Sequence, residues 1–186
     1  MKKLVLGTLL CLSISSITVN AQESLDYDLM VCMHQCYWDT YDKETKKLFL
    51  EVFAINCSDV LGIEKPEITY FYEDGVRQAS YYCSSDTIEI NENILISSTV
   101  SLKALSHELR HAWQWDNASN PTDEFDYMLL DNFKSYTTYN SDYKGYETQY
   151  VEVDADNFAD WVYNEFISTA GCSESLPLSS FVEVVE

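Results

Sequence analysis

Ser106-His107-Glu108-Leu109-Arg110-His111 carries two of the chain's three histidines four residues apart, with a glutamate directly after the first. On a helix, residues i and i+4 are neighbours on one face, so both imidazoles can reach a single ion. Glu108, one step round, can reach water beside that ion. Zinc in such a site lowers the pKa of water to roughly 7, and an adjacent carboxylate takes the proton as the oxygen attacks a carbonyl. The run therefore reads as the helical zinc pattern HExxH, with His107 and His111 as ligands and Glu108 as general base.

The flanks fit a helix. Leu102, Leu105, Leu109, Ala112 and Trp113 recur at helical spacing and form an apolar stripe opposite the histidines. Ser97 or Ser98 supplies an N-cap and the run Asn117 to Pro121 ends the pattern, so the spacing predicts a helix over about residues 99–116. The competing reading of the same residues is two surface histidines on an ordinary amphipathic helix.

Catalytic zinc takes three protein ligands and keeps a position open for water, so a third ligand is required. The extended motif with a third histidine needs Gly at 114 and His at 117, where this chain has Gln114 and Asn117. The run from Tyr150 onward reads instead as a second amphipathic helix. Ala155, Phe158, Ala159, Val162 and Phe166 form its stripe, and Glu152 and Asp156 share a face beside it. A solvated acidic face is the alternative account of these two carboxylates. His34, in a separate helical pattern, is another imidazole that could complete the ligand set.

The segment Glu152-Val153-Asp154-Ala155-Asp156-Asn157-Phe158-Ala159 resembles the ExEAxxFA segment of small ImmA/IrrE-like metallopeptidases. By that resemblance Glu152 is the third zinc ligand and Asp156, one turn on, accepts from the other ring N–H of a ligating histidine. Asp154 is the alternative ligand. The resemblance covers about residues 66–166. It implies an α+β, zincin-like minimal metallopeptidase domain with a small, mostly antiparallel sheet, the HExxH helix and a second, glutamate-bearing helix.

The strand signals precede the motif. Glu67 to Tyr72 and Gln78 to Cys83 are rich in β-branched and aromatic residues and flank the turn signal Glu73-Asp74-Gly75, which predicts a hairpin. Thr87 to Asn91 alternates apolar and polar residues and predicts a third strand. In zincins the strand in this position is the sheet edge, so the resemblance implies that an extended peptide pairs there. Upstream, a helical segment is expected from about Asp26 to Asp59.

Met1-Lys2-Lys3, the apolar stretch Leu4 to Val19 and the small-residue site ending at Ala21 read as a secretory signal peptide, 1–21, followed by a single domain, 22–186. The expected location is secreted or periplasmic, with no stable membrane association once the signal is cleaved. Cys32, Cys36, Cys57, Cys83 and Cys172 would remain, an odd set for which export permits disulfides of undetermined connectivity. The chain's net charge is −20, and loss of Lys2 and Lys3 takes it to −22. Such a surface repels phosphates and anionic lipid, which excludes nucleic acid as an expected partner.

Tyr127, Tyr136, Tyr139, Tyr143, Tyr146 and Tyr150 crowd the polar connection between the two metal-binding helices. They are expected to roof the cleft, and a tyrosine hydroxyl or Arg110 could stabilise the oxyanion of hydrolysis. The expected function is a secreted Zn2+-dependent metallopeptidase acting on a peptide or protein substrate. The alternatives are a non-catalytic zinc-binding or protein-interaction domain on the same scaffold, and a disulfide-stabilised structural protein without metal.

Overall fold

Short polar side chains mark where the helices begin. The computed structural model describes residues 25–75 and 77–170. In it the side chains of Asp26, Asp42, Ser97 and Asp123 each accept the backbone N–H three residues on, satisfying donors that a first helical turn leaves bare. The expected helical segment after Asp26 is thereby divided into α1 (Tyr27–Cys32), the single turn α2 (Gln35–Trp38) and α3 (Lys43–Leu61). Gly62 stops α3 with a left-handed φ of 72°, and the Ile63 N–H closes back on the Ser58 carbonyl at 3.1 Å. The expected signal peptide and Cys172 lie outside the described residues. Among those residues no helix is long and apolar enough to cross a membrane.

The strands fall where expected, as β1 (Glu67–Phe71), β2 (Ala79–Tyr82) and β3 (Thr87–Asn91), but their order is β1-β3-β2. β3 pairs parallel with β1 and antiparallel with β2, so the sheet is mixed rather than mostly antiparallel. The expected β1–β2 hairpin does not form, and β3 is the central strand rather than the edge. Burial accounts for the order. Ile88 and Ile90 are fully buried, and seating β3 in the middle sets Ile68 and Tyr70 against one side and Ala79 and Tyr81 against the other. The tight turn instead joins β2 to β3, through Asp86 at a φ of 50° that a short polar residue tolerates. Asn91, 1 % exposed, holds the long β1–β2 connection over the end of β3. Its Nδ2 donates to the Glu73 and Arg77 carbonyls at 2.8 and 2.9 Å.

A short 3-10 turn (Glu92–Ile96) leads into α4 (Ser98–Ser119), which starts where expected to within a residue and runs three residues further at its C-terminal end. Leu102, Leu105, Leu109 and Ala112 of the expected stripe are buried and Trp113 partly so, yet burial is not confined to the stripe: every residue from Ser101 to Leu109 is buried. α4 packs on α7 (Tyr150–Ala170), α5 (Glu124–Lys134), α3 and β2, and so forms the central rod of the α+β fold. Its serines tolerate burial because their hydroxyls find local carbonyls, Ser101 on Ile94 and Ser106 on Leu102. Trp113 joins a second apolar cluster with Ala118, Leu129 and Val151. α6 (Tyr143–Thr148) completes the connection to α7. No disulfide joins the described cysteines: Cys36, Cys57 and Cys83 are free thiols.

Candidate metal centre

Helical spacing on α4 and the docking of α7 bring three donor groups to one point. His107, His111 and Glu152 are 1 %, 0 % and 2 % exposed, and a ligand atom from each lies within 4.8 Å of the other two. The two Nε2 atoms are 2.9 Å apart, and Glu152 places Oε2 3.3 Å from His107 Nε2 and Oε1 3.3 Å from His111 Nε2. Ligands about 2.0–2.1 Å from a tetrahedral zinc would stand roughly 3.3 Å apart. The donor set and its spacing therefore fit a zinc-sized ion, and this group could hold one.

The reading of His107 and His111 as surface histidines is overturned, because both imidazoles are buried between α4 and the elements packed on it. Asp154 does not reach the histidines. It receives a two-pronged bond from Arg110, at 2.7 Å from Nε and 3.1 Å from Nη2, so Arg110 is an ion-pair partner here. His34 caps α2 and contacts Cys36 Sγ at 2.8 Å; it does not join the cluster. Asp156 sits at the margin, half exposed, with Oδ1 3.0 Å from His107 Nδ1 at ion-pair distance but out of hydrogen-bond alignment.

Glu108 is fully buried; neither carboxylate oxygen makes a well-aligned hydrogen bond, although the Tyr81 backbone N–H lies near enough to favour its charged form. A buried carboxylate without a well-aligned hydrogen bond is costly, and it leaves lone pairs available to a further group in the site. Burial pushes it up to about 7, against the opposing pull of His107 and His111. Burial works the other way on His107, yet the Asp156 and Glu152 carboxylates outweigh it and hold the imidazole up at about 10. Glu152 is held well below the usual carboxylate range, since the two histidines overcome its burial. In the metal-free site a proton on His107 thus neutralises part of the charge an ion would otherwise balance.

The Tyr-rich connection closes over this cluster. Tyr136 donates its hydroxyl to Glu152 Oε1 at 2.7 Å, and Tyr146, 3 % exposed, meets the Tyr136 ring edge-on with centroids 6.2 Å apart. Burial and the Glu152 charge push both phenols far up, so they act as donors. Spacing alone did not single out Gln114, which is fully buried and lies 2.8 Å from His111 Nδ1. Its position three residues after His111, on the same helical face, is the one sequence signal that could have pointed to it.

Compared with protein-family models, curated proteins and solved structures, the chain gives no match.

Proposed function

We propose that this chain is a zincin-type, zinc-dependent metallopeptidase that hydrolyses peptide bonds outside the cytoplasm. The observation that carries the proposal is the convergence of His107, His111 and Glu152 beside a buried Glu108 carboxylate that makes no well-aligned hydrogen bond. Zinc held by those three residues would act as a Lewis acid toward a carbonyl and lower the pKa of water to roughly 7. Glu108 would take the proton from the attacking water. It could then return that proton to the leaving amine nitrogen. Tyr136 and Tyr146 are the donors nearest the cluster and are the candidates for oxyanion stabilisation; Arg110 is committed to Asp154. The substrate is a peptide or protein, and the strongly acidic chain is unsuited to nucleic acid.

A second reading, a non-catalytic zinc-binding domain, is favoured by the closure of the site, since both Glu108 oxygens are shut off from solvent. Glu108→Gln separates the two. It preserves shape and polarity but cannot take a proton, so the variant should keep its zinc and fold while cleavage of a peptide library falls by a factor on the order of 100 to 10,000. Equal cleavage by both proteins would refute the peptidase reading. Zinc binding with no cleavage by either protein, and no partner trapped by Glu108→Gln, would support the non-catalytic one.

A further inference from the structure

We infer that Gln114 is a positioning residue that fixes His111 as its Nδ1–H tautomer and so presents an unprotonated Nε2 to a divalent metal; this rests on His107, His111 and Glu152 being a metal site. Gln114 is fully buried, and both polar atoms of its side chain are engaged. Nε2 of its amide donates to the Val151 carbonyl at 2.9 Å and to Asp154 Oδ2 at 2.8 Å. Both partners are acceptors, which orients the amide. Turned the other way, its oxygen would face two oxygens and its NH2 would face the imidazole. With the amide so oriented, Oε1 is the atom 2.8 Å from His111 Nδ1, and an acceptor there requires an N–H opposite it. In the neutral ring the proton is then on Nδ1 and the lone pair on Nε2.

Asp154 cannot turn away from Gln114, because Arg110 grips both its oxygens and itself lies over the Trp113 ring, 3.8 Å from the centroid. The chain Arg110, Asp154, Gln114, His111 thus ties the ligand's tautomer to the seating of α7 on α4. The same seating brings in Glu152. One helix contact therefore sets two of the three ligands. Asp154 takes a place in the site by this route without touching the metal position.

Gln114→Leu and Gln114→Glu separate orientation from packing. Leu loses every polar contact, whereas Glu, as the neutral acid its two acceptor neighbours enforce, donates its O–H to Asp154 and keeps its other oxygen as an acceptor facing Nδ1. In zinc-free protein, nitrogen-15 NMR of the three histidines, assigned with His34 and His107 variants, should find neutral His111 as the Nδ1–H form in the wild type and Gln114→Glu. In Gln114→Leu it should move toward Nε2–H. Zinc titrated against a chelator should bind Gln114→Leu about 10–100-fold more weakly, with Gln114→Glu within about threefold of wild type. Wild-type His111 in the Nε2–H form would overturn the inference, even if Gln114→Leu failed to fold. So would an unchanged His111 tautomer in Gln114→Leu. A wild type that binds no zinc refutes the metal-site reading separately, and the tautomer measurement still decides the role of Gln114.

Discussion

Tyr136→Phe removes one hydroxyl and little else. The ring keeps its edge-on contact with Tyr146, while the Glu152 carboxylate, 2 % exposed, loses a donor at 2.7 Å. Hydrogen bonds to charged groups contribute roughly 1.5–3 kcal/mol, and the buried oxygen left behind has no water to replace the phenol. The zinc-free protein should therefore lose about 2 kcal/mol in denaturant unfolding, or about 4–8 °C in melting temperature for a domain of this size. Amide exchange should quicken across 136–149, since this bond joins the Tyr-rich connection to α7. A loss below about 0.5 kcal/mol with unchanged exchange would refute the reasoning. It would mean that the connection is held by its aromatic packing and that Tyr136 has no part in shaping the cluster.

Two further outcomes follow from the charges at the centre. His107 is raised from 6.5 to about 10 in the metal-free protein, so its favourable contribution is full below pH 6.5 and fades as pH rises through 10. Zinc must displace that proton, so binding near pH 8 should release about one proton and tighten as pH rises toward 10; calorimetry in buffers of different ionisation enthalpy measures this, and no release would contradict the assignment. Glu152→Ala should abolish zinc binding, whereas Asp154→Ala, which loosens Gln114 and Arg110 without removing a ligand, should weaken it by roughly tenfold. The reverse ranking would make Asp154 the ligand.

What was legible in the sequence is what depends on residues close together in the chain. The i, i+4 spacing of His107 and His111 and the stripe that turns Glu152 inward are properties of single helices, and α4 and α7 follow them. Sheet order was not legible. Glu73-Asp74-Gly75 is a sound local turn signal, but Asn91 captures Glu73 and Arg77 from 18 and 14 residues away and carries the connection across β3. The burial of α4 was hidden by its serines, which look like a polar face until their hydroxyls are seen to bond Ile94 and Leu102. Gln114 looked like a mere departure from a longer motif. Its partners Val151 and Asp154 lie 37 and 40 residues further on, and no local pattern encodes that meeting.

The central claim is that one metal ion belongs between His107, His111 and Glu152. Metal analysis of the protein purified without a histidine tag, beside His107→Ala and His111→Ala, tests it most directly. The expected result is one zinc per wild-type chain and none at micromolar metal in either variant. Tight zinc binding retained when both histidines are replaced would contradict it.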